Sequence, residues 1–502
     1  MRLHRINSFP VLAPYLLVVF FVTKAAITGI WIVRPWDVPD EVGHFSYIQD
    51  LATGKNLPVL HETQIDAEIW ADFTREINTG PGLNWIAQHP PAYHLIMVPA
   101  YWVGSLFGES FWGSFYLIRL FTSVIFALGI WLLVKAFQEV GISITASLGL
   151  GIMIASIPNH TFLAGAVNHD ALVFCCGSLV LLLLIRFTNK AESAYLKYLG
   201  LVLGFGGLVK YTFLVILPPV FLWIGIVCWM NKKQTIRSIG FFLGLVFVPL
   251  SLWMLRNWIV LGELLPVDTT GFHSDQTLNL SLLEFGQTYP ILTILTRTYW
   301  GLLGWLGDGN LEVRWHQIYT LYQQAYTWPL ITLTALTFWY LLTGKLKDRS
   351  GVFFGVVGST VTILAFVLSG WWKFEQGFYQ PFFFLCIAIV GWRLAEVCNY
   401  LRIRELKSVP LNDLAPVFVC LFFFLIHLSK IYSYSLSSGV LQGTFGRYYL
   451  LVVGFFVVGF LGKGARSFPY GAPLILGFSI LYSSVELYVW LHEVIPFFYV
   501  HD

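Results

Sequence analysis

Asp37, Asp40 and Glu41 lie close together in WDVPDEVGHFSYIQDLATGKNLPVL, residues 36–60, directly after a long apolar run. Pro39 suits the first position of a helix, and Asp40 and Glu41 would sit near the positive end of the helix that follows. One of these carboxylates could act as a base on a hydroxyl acceptor. The competing reading is a helix N-terminus that merely carries favourable acids. His44, four residues after Asp40, falls on the same helical face. It could help hold a divalent ion or orient the base, or be a plain interfacial histidine. Asn168, His169 and Asp170 in AGAVNHDAL could bind an acceptor, support the base or cap the next helix. QHPPAYH, with His89, Tyr93 and His94 around Pro90 and Pro91, could shape an acceptor entrance or simply open a helix.

The elements that must position these residues are membrane helices. Of 502 residues, 57% are hydrophobic, 17% aromatic and only 11% charged, which excludes a water-soluble globular protein and requires an all-α polytopic bundle. A net charge of +3, scattered among apolar runs, excludes nucleic acid as a partner. The six cysteines lie in apolar runs or at their ends, which argues against a disulfide framework or a zinc site. Residues 11–33 are too long for a signal-peptide core and read as a retained anchor, with Arg2, His4 and Arg5 cytoplasmic. Lys24 within that run either faces the bundle interior or, on the simpler reading, snorkels.

Hydropathy and basic turns predict about thirteen spans in a single domain, residues 1–502, with the N-terminus cytoplasmic and the C-terminus outside. A first outer loop, 34–113, carries the acids. Its Val42, Phe45, Ile48 and Leu51 recur at helical spacing, predicting an interfacial helix over Glu41 to Ala52, with a second over 88–107. Span two covers 115–134, and residues 198–229 form two short spans turning at GLVKYT. A second long outer loop, 259–326, is rich in turn residues and tryptophan, and the basic turn Lys345, Lys347, Arg349 separates spans eight and nine. Arg119, Lys210, Arg256, Arg297, Arg314, Lys373 and Arg447 all fall near the outer face, against the usual charge bias. Taken singly, each is an interfacial anchor. Together they suit a lipid phosphate or pyrophosphate.

PDEVGHFSYIQDLATGKNLPV, HPPAYH, Phe107-Gly108, Arg119, NHDAL, GLVKYT, WMLRNWIVLGELLP and GRYYL form an ordered set. It resembles the GT-C superfamily of membrane glycosyltransferases, such as protein O-mannosyltransferases and lipid A aminoarabinose transferases. The resemblance implies a GT-C-like bundle and inverting transfer of a sugar from a polyprenyl-phosphate donor to an acceptor hydroxyl outside a bacterial plasma membrane. No cofactor is required, though a divalent cation is compatible. It implies Asp40 as catalytic base with Glu41 beside it, and Lys210, Arg447, Arg119 and Arg256 as donor-phosphate ligands. Apart from the resemblance, His44, His89, Asn168 and Asp170 are the candidate acceptor or supporting groups. The late motif reads QGTFGRYY where the superfamily pattern is the more compact QGRY, which weakens the carry-over to Arg447. The acceptor, whether glycan, lipid or protein, stays open. The alternative reading is a lipid-linked sugar flippase or other transporter, for which intramembrane charges and broken helices also serve.

Overall fold

The computed structural model describes residues 9–75, 80–108, 110–231, 234–266, 278–301, 303, 312–343, 349–368, 380–403, 410–439 and 445–499. In order, α1 (Phe9–Ile27) continues into a π turn (Thr28–Ile32). The segment that follows the first span holds α2 (Glu41–Ala52), α3 (Ala67–Thr74) and α4 (Ala92–Gly104). Then come α5 (Trp112–Glu139), α6 (Ile144–Ala155), α7 (Pro158–Ala164), α8 (Asp170–Lys190), α9 (Ser193–Gly207), α10 (Leu217–Asn231) and α11 (Ile236–Leu261). After α12 (Leu282–Thr288) and α13 (Ile291–Trp300) follow α14 (Glu312–Thr343), α15 (Arg349–Leu368), α16 (Gln380–Ile403) and α17 (Leu411–Ser438). The chain closes with a 3₁₀ turn (Gly446–Val452), α18 (Val453–Phe456), α19 (Gly462–Ser467), α20 (Gly471–Val489) and α21 (Ile495–Tyr499). Arg2, His4, Arg5, Lys345, Lys347 and Lys373 lie outside the described residues, as do 267–277 and 304–311 of the second long loop and the side chain of Arg314.

Ten helical segments among the described residues are long and apolar enough to cross a membrane, or eleven if α6 and α7, bent by 73°, count as one span. Thirteen were expected. The shortfall is at two segments that are helical but do not qualify. α9 has 15 residues, about 22 Å of helix against a hydrocarbon core of about 30 Å. α14 opens with the polar sequence EVRWHQIYTLYQQ.

Lys24 does not snorkel. Its Nζ donates to both Glu486 oxygens at 2.7 and 2.8 Å and to the Ala155 carbonyl, the last of α6, at 2.6 Å. Thr161 Oγ1, on α7, donates to the same carboxylate at 2.6 Å. The break between α6 and α7 is thus held by an ion pair, because a cation in lipid needs a partner and an orphaned carbonyl needs a donor. Nearby, the Gly29 and Gly165 backbones pack so closely that a Cβ on either would overlap the other segment's backbone.

α2 forms where the apolar spacing predicts it but lies deeper than a half-exposed interfacial helix. Glu41, Val42, Gly43, His44, Phe45, Ser46, Tyr47, Ile48 and Asp50 are all buried. The Gly43 Cα faces the Ile86 side chain and the Asn84 amide, so the backbone of α2 is covered by the segment before α4. Asn84 Nδ2 donates to the Gly43 carbonyl at 3.1 Å.

Candidate active site

Asp40 immediately precedes α2 in a left-handed conformation, φ 71°, and Trp36, four residues earlier, has the same φ. Asp tolerates this region, whereas Trp pays on the order of 1–2 kcal/mol for it. Packing holds Trp36 there. Its ring meets Phe45, Phe111, Trp112 and Phe115 at centroid distances of 4.7 to 6.1 Å, and its Nε1 donates to Asp72 Oδ2 at 2.6 Å. The kinked WDVPD turn aims the two adjacent acids in different directions.

Glu41 is fully buried and points into the bundle. Arg119 grips it with two bonds, Nε to Oε1 at 2.8 Å and Nη2 to Oε2 at 2.6 Å, and the Trp36 and Val167 amides donate to it as well. Arg119, 1% exposed, spends its remaining donors on the carbonyls of Gly29, Val33 and Arg34. Four segments are stapled together by this pair. Arg256 is likewise taken up elsewhere, donating to the Leu57 and Pro58 carbonyls at 3.3 and 3.0 Å and so tying α11 to the stretch between α2 and α3. The geometry therefore does not bring Glu41, Arg119 or Arg256 to the cluster that Asp40 joins.

That cluster comprises Asp40, Asp170, Lys210 and Arg447. Arg447 Nη2 donates to Asp40 Oδ2 at 2.7 Å, and its Nε lies 3.8 Å from Asp170 Oδ2. Lys210 Nζ donates to Asp170 Oδ1 at 2.6 Å and sits 4.8 Å from the Tyr448 ring centre. Trp85 Nε1, which no sequence signal marked, donates to the other Asp40 oxygen at 3.1 Å. Every charged member stands at a helix interruption. Asp170 opens α8, Lys210 is extended between α9 and a 3₁₀ turn (Tyr211–Ile216), and Arg447 follows Gly446 in the closing 3₁₀ turn. Interrupted helices bring charged groups to membrane depth where backbone can be satisfied by neighbours. Gly446 itself packs against α13, where its amide donates to Thr298 Oγ1 at 2.6 Å and a Cβ would overlap the Tyr299 backbone.

Beside the carboxylates lies a group of imidazoles. His169 meets His44 and His89 edge-on at 4.4 and 4.6 Å between ring centres, and His44 Nδ1 bonds His94 Nε2 at 3.0 Å. Burial, helped by the positive charges around them, pushes His44 and His89 well below the ordinary histidine range, and burial pushes His94 down to about 3. These rings are neutral near pH 7. For Asp40, burial alone would raise the carboxyl. The Arg447 charge, the hydrogen bonds from Arg447 and Trp85 and the Lys210 charge outweigh burial and hold it below its usual range.

The four charged side chains balance to zero, yet several buried donors and acceptors in and beside the cluster have no hydrogen-bond partner: Arg447 Nε and Nη1, Asp170 Oδ2, Asn168 Nδ2, His169 Nδ1 and His44 Nε2. Such a concentration of unmet bonds marks a place built for something polar. Asn168 Oδ1 is used locally, accepting from the Asp170 amide at 2.7 Å. Among the described residues no group of three or more His, Cys, Asp or Glu side chains is arranged to hold a metal ion. Lys430, on α17, was also missed by sequence reasoning and lies near enough to bear on the His89 charge. A further cavity of about 420 Å³, walled by apolar residues including Leu292, Tyr299, Phe382 and Phe456, reaches Tyr449, two residues beyond Arg447.

Fold and cluster together define a polytopic α-helical membrane protein whose acids and bases meet where its helices break. The chain belongs to the family described as predicted membrane protein (DUF2142), whose model matches residues 71–390. A search of curated proteins finds no match. Among solved structures, the chain is similar to the Pmt1-Pmt2 protein O-mannosyltransferase complex of S. cerevisiae bound to the sugar donor, at 17% identity and a TM-score of 0.36. That match covers 52% of this chain and 35% of the other, so the chain spans about a third of that relative's length. It is similar to ArnT from Cupriavidus metallidurans bound to undecaprenyl phosphate, at 12% identity over 99% of this chain and 85% of that one, TM-score 0.37. A third is the Archaeoglobus fulgidus oligosaccharyltransferase tethered with an acceptor peptide, at 12% identity over 94% and 59%, TM-score 0.33.

Proposed function

We propose that this protein is an inverting GT-C-type glycosyltransferase that moves a sugar from a polyprenyl-phosphate donor to an acceptor hydroxyl on the extracytoplasmic side of a bacterial plasma membrane, as a single domain with its N-terminus cytoplasmic and its C-terminus outside. The observation that carries this reading is the contact of Asp40 with Arg447 inside a cluster that also holds Lys210 and Asp170. Asp40 takes the proton from the acceptor hydroxyl as its oxygen bonds the anomeric carbon. The bond from that carbon to the donor phosphate breaks, and the phosphate leaves with the electron pair. Arg447 and Lys210 stabilise the charge that grows on it. Asn168 and the neutral His44 and His89 offer hydrogen bonds to sugar or acceptor hydroxyls, and the apolar cavity beside Tyr449 accommodates prenyl chain. Glu41, Arg119 and Arg256 hold the scaffold.

Asp40, which holds Arg447 in the unliganded protein, and the donor phosphate compete for one guanidinium. Donor binding takes Arg447 from the carboxylate, whose proton affinity then rises toward what burial alone dictates, making it a better base. The sign of a pH effect follows. In free protein the Asp40 carboxyl is held low, so the acid limb of kcat/KM lies below the usual carboxylate range. In the donor complex the limb of kcat moves to higher pH. Rate profiles from about pH 3 to 8 check this. A kcat limb at or below that of kcat/KM contradicts the exchange of partners.

The direct test of donor binding uses undecaprenyl phosphate as the probe on the purified full chain in nanodiscs. Arg447→Gln weakens binding at least about tenfold, since a charge-assisted bond to phosphate is worth about 1.5–3 kcal/mol. Equal affinity in wild type and variant removes Arg447 from the donor site. In a strain lacking the protein, mass spectrometry of extracted lipids should find the sugar-charged polyprenyl phosphate accumulating, which names the sugar.

A further inference from the structure

Far from the Asp40 cluster, α5 and α8 create a second polar recess. Both helices start at the cluster level, since Arg119 near the start of α5 grips Glu41 and Asp170 opens α8. They run in the same direction, and residues sixteen positions further on lie about 24 Å away, toward the opposite membrane face. There Lys135 and Arg186 border a cavity of about 460 Å³, whose walls include Trp131, Leu132, Glu139 and Leu179.

The chemistry of this recess is specific. Arg186 donates through Nε alone to Glu139 Oε1 at 2.8 Å, and both side chains are 34% exposed, so its terminal nitrogens are available to the recess. The Lys135 ammonium lies 5.8 Å from the Trp131 ring centre and has no carboxylate partner among the described residues. Trp131 Nε1 is buried without any hydrogen-bond partner. Two cations and one anion thus stand above leucine and tryptophan walls. The net charge of +1 matches a phosphodiester, which carries a single negative charge. A dianionic phosphate would be repelled by Glu139. Leucines beside the charges suit acyl chains, and an indole with one apolar and one polar side suits the membrane boundary.

We propose that this recess is a binding site for the phosphodiester headgroup of an anionic phospholipid, with Lys135 and Arg186 as its donors and Trp131 in its wall, on the membrane face opposite the Asp40 cluster. The site is independent of the sugar-transfer reading.

The test titrates delipidated full-length protein with phosphatidylglycerol or phosphatidylcholine in mixed micelles and counts retained lipid by native mass spectrometry. One phosphatidylglycerol is retained in preference to phosphatidylcholine, Lys135→Gln weakens it at least about tenfold, and Lys135→Arg keeps it, as a charge-assisted bond predicts. Lys135 touches no carboxylate, so Lys135→Gln leaves the Arg186–Glu139 pair and the fold in place, which the melting transition verifies. Equal retention by Lys135→Gln and wild type, or equal retention of the zwitterionic lipid, overturns the proposal. sn-Glycero-3-phosphoglycerol, a soluble phosphodiester with the same single charge, is the soluble arm: failure to compete supports a lipid, and full competition at matched concentration overturns it in favour of a soluble phosphodiester.

Discussion

Asp40→Asn lowers sugar transfer at least about 100-fold, the usual loss when a positioned proton acceptor is removed. The substitution keeps the shape of the side chain and an oxygen for the Trp85 N–H, which now approaches Asp40 Oδ1 at 3.1 Å, so the turn before α2 is preserved. What it removes is the negative charge facing Arg447 at 2.7 Å. The same variant should therefore bind undecaprenyl phosphate as tightly as wild type or more so, because the guanidinium no longer has a competing carboxylate. Transfer falls while donor affinity holds or rises, a combination that unfolding cannot produce. Turnover at the wild-type rate would end the assignment of Asp40 as base. A parallel loss of donor binding would make Asp40 a support for Arg447.

Glu41→Gln is expected to act on stability, at a cost of about 3–5 kcal/mol, the typical penalty for leaving one member of a buried ion pair alone. Glu41 is 0% and Arg119 1% exposed, and water has no access to compensate the charge left behind. Glutamine also turns an N–H₂ toward a side that now receives only donors, from Arg119, Trp36 and Val167. The staple between α5, the turn before α2 and the stretch before α8 should loosen together, which a denaturant or thermal transition of the purified protein reports. A variant with unaltered stability and abolished transfer would return Glu41 to the chemistry.

The contrast between these neighbours explains how far a sequence carries. Successive helical residues project about 100° apart. The left-handed turn at Asp40 widens that divergence, so which of two adjacent acids faces the cluster depends on the kink and on what packs around Trp36. Their cations are 78 residues away for Glu41 and 407 for Asp40, and no local pattern pairs either one. Lys210 was more legible. Gly204, Gly206 and Gly207 precede it, the helix stops there, and a lysine in an interrupted apolar run has few places to go.

The amino-acid order alone determined a helical membrane bundle, since apolar runs of span length admit no other satisfied backbone in lipid. It also determined an acid turn after the first span and a break at Lys210. Only the tertiary structure decided that Arg447 meets Asp40 while Arg119 meets Glu41, that Arg256 clasps a loop, that Lys24 pairs with Glu486, and that unbonded histidine and amide nitrogens gather beside Asp170. The physical reason is that burial of apolar surface and backbone hydrogen bonding are read residue by residue along the chain. An ion pair or a pocket, by contrast, is a coincidence in space of side chains from distant helices, set by how those helices pack.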